Sequence, residues 1–342
     1  MKKIRIGVIC PSEIAFRRFL PSLQKVETFE FAGVAIASAE EWGVSENAYN
    51  EIRKKELSKA QLFIDSYGGK IYEGYKSLVS SKDVDAVYLP LPPALHYLWA
   101  KECILNGKHA LVEKPFSLSL ANTQELISLA RNKGIALHED YMFVYHNQIE
   151  ALNGIIRNGE IGKVRHYRIQ FGFPRRARND FRYNKSLGGG ALYDAGGYTI
   201  KYANLLLGDS AKLVSANSIH DNELGVDIFG AATIINDEGV IAQVSFGMDN
   251  DYKCLMEAWG STGSLISGRV LTAPDGFEPT AIVRKNNSDI VVKLPSDEAF
   301  VKSIQLFASC IYDSVTRNDN YETMLRQASF IDKYKLLSKY NF

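Results

Sequence analysis

Over the first 140 positions, apolar residues recur as short, nearly continuous runs set between stretches of helical periodicity. Ile4–Ile9, Phe31–Ala37, Ala86–Leu89, Ala110–Val112 and Ile135–His138 are rich in Val and Ile and read as strands. Between them, Ile14–Gln24, His96–Asn106 and Ser119–Lys133 have the spacing of amphipathic helices. Ser45–Ser66, long and charged, reads as a further helix after the second strand. This alternation predicts a parallel sheet covered by helices, its strands buried on both faces. From about Lys163 the pattern changes. Val164–Phe173, Leu213–Ile219, Val226–Ile235, Val240–Met248 and Cys254–Gly260 follow one another with short turns, Asn236-Asp237-Glu238-Gly239 being a hairpin signal. An antiparallel sheet is expected there, with helices resuming at Glu298–Arg317 and Tyr321–Lys339. The boundary is placed to give domains 1–122 and 123–342, with ligands expected in a cleft between them.

A length of 342 residues fits two domains at roughly 150 residues each. Forty basic against thirty-nine acidic residues leave a net charge of +1, which makes no electrostatic case for nucleic acid or an anionic membrane as partner. No apolar run approaches the roughly 20 residues of a membrane span. The apolar start of the chain, about six residues before Pro11, is too short for a secretory signal. Cys10, Cys103, Cys254 and Cys310 are scattered and read as reduced thiols, so a cytoplasmic protein is expected. The six histidines form no metal set; His138-Glu139-Asp140 has no second histidine four residues away.

Candidate chemistry lies at four places. The turn after the first strand, Gly7 to Ile14, stands where a Rossmann fingerprint would carry three glycines against a pyrophosphate. Here only Gly7 remains, Cys10, Pro11 and Ser12 taking the other places, so the signal is weak and Ser12 also reads as an ordinary helix cap. At the end of the second strand Ser38 replaces the acid that would bind a ribose 2′-hydroxyl. A neutral residue permits a 2′-phosphate but no arginine follows, so NADP(H) is slightly preferred and NAD(H) stays open. Glu113-Lys114-Pro115 directly follows a strand, where an ammonium can stabilise charge on a substrate oxygen and Glu113 can orient the lysine or hold the nicotinamide ribose. In Gly188-Gly189-Gly190-Ala191-Leu192-Tyr193-Asp194-Ala195-Gly196-Gly197-Tyr198, the helix Ala191–Leu207 presents Asp194 and Tyr198 four apart on one face. A carboxylate and a phenol there can bind a polyol and pass a proton, or serve the fold alone.

Five segments in order, the first-strand turn, Tyr88–His96, Gly107–Pro115, His138–His146 and Leu187–Tyr198, resemble the glucose–fructose oxidoreductase/inositol dehydrogenase family. Ile14–Pro21, Phe181–Tyr183, Gly225–Ile228 and Glu257–Gly263 look, more narrowly, like the NDP-hexose 3-ketoreductases in that family. The resemblance implies an α/β Rossmann dinucleotide-binding domain followed by an α+β domain, for substrate binding and oligomerisation, on an open, mostly antiparallel sheet. It implies an oxidoreductase reducing the 3-keto group of a nucleotide-linked deoxysugar, with Lys114, Tyr198 and Asp194 catalytic. Gly7, Ile9, Cys10, Pro11, Ser12, Glu13, Ile14, Ser38, Leu89, Leu91, Pro92, Pro93, His96, Glu113, Lys114 and Glu139 would line the cofactor site. Tyr145, Arg182, Tyr183 and Tyr198 would meet substrate, and Arg175, Arg176 and Arg178 with Arg182 could meet a diphosphate. A homodimer or homotetramer is implied. Two other readings stand beside this one: a dehydrogenase of a free sugar, inositol or dihydrodiol, and a non-catalytic NAD(P)-binding sensor or scaffold.

Overall fold

The structure, a computed structural model, describes residues 2–339; the outermost positions of the two expected domains, 1 and 340–342, lie outside the described residues. The chain packs as two units, neither of them a single stretch. Met1–Ser117, Ala121–Asp140 and Phe300–Leu325 make the first, and Leu118–Leu120, Tyr141–Ala299 and Arg326–Phe342 the second. The expected cut after residue 122 falls inside a helix, and the C-terminal segment returns to the first unit before ending in the second.

The first unit is built on six parallel strands: β1 (Ile4–Ile9), β2 (Phe29–Ile36), β3 (Lys70–Glu73), β4 (Ala86–Leu89), β5 (His109–Val112) and β6 (Leu137–Glu139). Their order, β3-β2-β1-β4-β5-β6, is that of a dinucleotide-binding sheet. Every residue of β4 is buried, as continuous apolar strands under helices on both faces require. The crossovers are a π-helical turn (Ala15–Phe19) leading into α1 (Leu20–Leu23), then α2 (Ala39–Trp42), α3 (Glu46–Tyr67), α4 (Tyr75–Val79), α5 (Pro93–Leu105) and α6 (Leu120–Lys133). The expected helix 14–24 is thus realised in two windings. β3 had no hydrophobic signal because it is an edge strand with only Tyr72 buried.

In the second unit a 3-10 turn (Met142–Tyr145) and α7 (Asn147–Arg157) precede β7 (Val164–Gly172). A π-helical turn (Leu192–Gly196) then enters α8 (Gly197–Leu207). The strands β8 (Lys212–Asp221), β9 (Val226–Ile235), β10 (Ile241–Gly247), β11 (Lys253–Gly260), β12 (Gly263–Gly268), β13 (Thr280–Lys285) and β14 (Ser288–Lys293) complete an eight-stranded sheet. All its pairings are antiparallel except β7 with β10. β12 and β14 went unread because Gly and Ser interrupt the alternation of the first and the second is almost wholly exposed. The C-terminal helices are α9 (Ala299–Tyr312) and α10 (Ser314–Leu337). They break at residue 313, earlier than expected, because Asp313 accepts from the backbone of Thr316 at 2.8 Å and caps α10. No helix among the described residues is long and apolar enough to cross a membrane.

Candidate active site

The carboxyl ends of the parallel strands gather most of the expected cofactor residues. After β1, Cys10 takes a left-handed backbone (φ 76°), the conformation a fingerprint glycine would supply. Ser12 Oγ accepts from Ala15 N at 3.3 Å, so Ser12 does cap the following helix. Gly7 is needed for packing, since a Cβ there would meet Leu78 of α4 at 2.8 Å. Ile9 and Leu89 are fully buried, and their side chains pack in the sheet. Only their backbone is placed to serve a ligand. Glu13 is exposed and spent on an ion pair with Arg17 at 2.6 Å. Pro92 and Pro93 open α5, while Leu91 is buried beneath that turn.

Ser38 caps α2 in a reciprocal box with Glu41, its oxygen accepting from Glu41 N at 3.3 Å. That bond uses a lone pair and leaves the hydroxyl proton to donate to a ribose or phosphate oxygen. The sequence reading missed Glu41, whose carboxylate also accepts from Tyr75 N (2.8 Å) and Lys76 N (2.9 Å) and ties β2's end to α4. The left-handed turn at Cys10 and the half-buried Ser38 together fit a dinucleotide.

At the end of β5, Lys114 is half-buried and the Lys114–Pro115 peptide is cis. The residues around it turn inward. Tyr88 of β4, fully buried and stacked on Phe19, donates to Glu113 Oε1 at 2.6 Å. Glu139 Oε1 accepts from Phe116 N at 2.8 Å, pinning the chain after Pro115. His96 is fully buried, with Nδ1 2.7 Å from the Pro115 carbonyl and Nε2 2.7 Å from that of Leu91. Burial pushes His96 down to about 4; the two carbonyls oppose this and lose. Glu113, Glu139 and His96 thus make hydrogen bonds that brace the loops carrying Lys114. Tyr88 and Phe116 were invisible as site residues because both read as core.

In the second unit, Tyr198 lies in the first turn of α8. Its ring is buried against Tyr141 (5.2 Å between centroids, perpendicular), Phe171 (5.4 Å) and Phe143 (5.6 Å). Lys201, one turn on, puts its ammonium 5.7 Å from the Tyr141 ring. The glycines before Tyr198 are steric: a Cβ on Gly197 would overlap the Tyr141 hydroxyl, and one on Gly196 would meet Phe246 of β10 at 2.8 Å. Asp227 of β9, fully buried, accepts from Leu192 N at 2.7 Å and holds the N-terminal end of the helical segment.

Asp194 is not open to ligand alone. Arg182 Nε donates to its Oδ2 at 2.5 Å, and Arg182 also binds Asp180 at 3.2 Å. Arg182 is therefore a clamp between two carboxylates, and Tyr183 is a second pin, accepting from Arg176 N at 2.8 Å and donating to the Met248 carbonyl at 3.3 Å. Both were expected on substrate, and both also hold the segment ahead of α8. Arg175 is paired with Asp221 (3.3 Å) and Arg178 with Glu223 (3.6 Å) at the protein surface. Tyr145 stays half-buried at the end of its 3-10 turn. Among the described residues no group of three or more His, Cys, Asp or Glu side chains could hold a metal ion.

Comparison with known proteins bears on these residues. The pattern of the GFO/IDH/MocA oxidoreductase family, NAD-binding Rossmann fold, matches residues 20–141, and that of the GFO/IDH/MocA C-terminal domain matches residues 149–266. A dTDP-3,4-didehydro-2,6-dideoxy-alpha-D-glucose 3-reductase from Actinomadura kijaniata is 35% identical, over 96% of this chain and 94% of its own. Another, from Streptomyces violaceoruber, is 34% identical over 97% of this chain and 94% of its own. The structure of KijD10, a 3-ketoreductase from Actinomadura kijaniata in complex with NADP and TDP-benzene, matches with a TM-score of 0.90 at 34% identity over 98% of both chains. KijD10 has also been solved with a tyrosine replaced by phenylalanine and with a lysine replaced by alanine or glutamate.

Proposed function

Because the chain belongs to the GFO/IDH/MocA oxidoreductase family, we propose that it reduces the 3-keto group of a nucleotide-linked deoxysugar, with NADPH preferred over NADH. One observation carries this reading beyond family membership. The lysine and tyrosine replaced in KijD10 are separated by the same number of residues as Lys114 and Tyr198.

The bound reduced nicotinamide supplies a hydride to the carbonyl carbon. As the C=O electron pair moves onto oxygen, the Lys114 ammonium hydrogen-bonds that oxygen and stabilises its growing charge. The Tyr198 phenol donates its proton there, completing the alcohol, and the phenolate regains a proton from water. The aromatic cage fixes the angle of the phenol, while Asp194 with Arg182 braces the turn ahead of it. Backbone of the Gly7–Ile14 turn, Ser38 and the Leu89–Pro93 loop hold the dinucleotide, and Tyr145 meets the sugar. A homo-oligomer forms through the outer face of the eight-stranded sheet, where Trp259, Ile241 and Ile282 are exposed; light scattering on the purified protein checks it. The four free thiols fit a cytoplasmic enzyme.

The test is a parallel titration with NADPH and NADH, followed by turnover of a synthetic TDP-3-keto-deoxysugar. Tighter NADPH binding with NADPH-dependent reduction is expected. Folded, cofactor-free protein that binds neither nucleotide would end the proposal, and a clear NADH preference would favour a sugar or polyol dehydrogenase.

A further inference from the structure

β6 and the residue after it present His138, Glu139 and Asp140, of which the reaction above uses none directly. Strand alternation puts His138 and Asp140 on one face and Glu139 on the other. On that shared face stand Ser303 of α9 and Asn320 of α10. His138 Nε2 is 2.9 Å from Ser303 Oγ, Ser303 Oγ is 2.6 Å from Asp140 Oδ1, and His138 Nδ1 is 3.1 Å from Asn320 Oδ1. All four side chains are buried.

Donors and acceptors here can be counted. The Asn320 amide nitrogen donates to the Leu137 carbonyl at 2.7 Å, so its oxygen faces Nδ1, and Nδ1 must carry a hydrogen. With the Ser303 hydroxyl donating to Asp140, Nε2 must donate to Ser303 as well, which makes His138 an imidazolium. Moving that same proton onto Asp140 reverses both bonds and leaves His138 neutral. Either arrangement satisfies these three contacts. Removing the proton does not, because one hydroxyl hydrogen cannot serve Nε2 and Oδ1 together, and facing lone pairs in a buried site are costly.

A second carboxylate stands alongside. Val112 pairs with Glu139 in parallel register, and Asp140 N donates to the Val112 carbonyl at 2.9 Å. Glu113 and Asp140 are thus neighbours on one side, about 4.8 Å apart across the strands. Burial first, then the charge of Glu113, pushes the Asp140 carboxyl well above its ordinary value, against the Ser303 hydroxyl. Asp140 Oδ2 has no hydrogen-bond partner among the described residues, which a neutral acid tolerates better than an anion. The groups facing the string are Glu113, directly after β5, with its partner Tyr88 of β4, Ser303 and Phe307 from α9, and Asn320 from α10. Lys114 follows Glu113 in the chain.

We propose that His138, Ser303 and Asp140 form a buried string holding one proton, so that the string is neutral overall and adds no net negative charge beside Glu113, the residue before Lys114. The consequence for Lys114 rests on the catalytic reading above; the string itself does not. With the proton held, the string brings no net charge to this end of the sheet; without it, an added negative charge stands beside Glu113, one residue from Lys114, and competes with substrate for the ammonium. His138, Ser303 and Asp140 are positioning residues.

Two measurements decide this. Nitrogen-15 NMR of the full-length protein with labelled histidine should show His138 protonated at Nδ1 and without a titration step across roughly pH 5.5 to 8.5. A step at the ordinary histidine value would overturn the string whatever the enzyme's substrate. In Asp140→Asn, a neutral mimic of the acid, kcat near neutrality should stay within about 3-fold of wild type. Its alkaline limb should move up by about one pH unit or more. An unchanged profile, or a loss beyond about 100-fold in folded protein, would overturn the link to Lys114.

Discussion

Replacing Asp227 with alanine tests whether the helix bearing Tyr198 is held from the neighbouring sheet. The Asp227 carboxylate is fully buried and accepts from Leu192 N at 2.7 Å, at the start of the helical segment. Alanine would leave that N–H, one of the orphan donors of a helix N-terminus, without its acceptor. An unsatisfied buried donor costs about 1–3 kcal/mol, and loss of an acid at a helix N-terminus adds roughly 0.5–1 kcal/mol. A total near 3 kcal/mol lowers the melting temperature of a unit of this size by on the order of 10 °C. Asparagine keeps an acceptor oxygen and should recover at least half of the loss. Thermal melts by circular dichroism give the stability, and turnover measured well below each midpoint gives the coupling to Tyr198. In the alanine variant kcat should fall more than KM rises, because the phenol's angle is disturbed rather than the binding surface. An alanine variant melting within about 1 °C of wild type, or an asparagine variant worse than alanine, would refute the reasoning.

Tyr198→Phe keeps the ring and its aromatic contacts, so stability should change by less than about 1 kcal/mol while turnover falls roughly 100- to 10,000-fold. Melting and steady-state kinetics on one preparation check both halves. Ser38→Asp puts a carboxylate at the ribose and should shift preference toward NADH by at least about tenfold, read as the ratio of dissociation constants. His96 and His109 are both pushed down to about 4 by burial. In the unfolded chain they take up protons near pH 6.5, so between about 6.5 and 4 the unfolded state binds more protons and stability falls as pH drops. Melting temperature should decline through that window, and His109→Gln should flatten part of the decline; an unchanged slope would exonerate His109.

Much of this site could be read in the chain. Lys114 and Tyr198 stood out because a charged pair followed by proline at a strand end, and a glycine-rich entry to an apolar helix, are local patterns. What local patterns could not show was where each polar atom is already spent. His96 looked like a pocket residue, yet both its nitrogens face backbone carbonyls. Arg182 and Tyr183 looked like substrate contacts, yet Asp194, Asp180 and the Met248 carbonyl engage them. Edge strands such as β3 and β14 gave no signal, since a strand with little to bury needs no hydrophobic pattern.

Residue order by itself determined the alternating strands and helices of the first unit, the change to antiparallel pairing in the second, and the candidates Lys114 and Tyr198. These follow from periodicity and turn chemistry, which act over a few residues. Tertiary structure alone decided which candidates spend their polar atoms on bracing bonds, and it assembled the His138–Ser303–Asp140 string. Its members, and the Asn320–Leu137 bond that orients them, join positions up to 183 apart in the chain. Hydrogen bonds are settled by distances of a few tenths of an ångström between groups that only folding brings together.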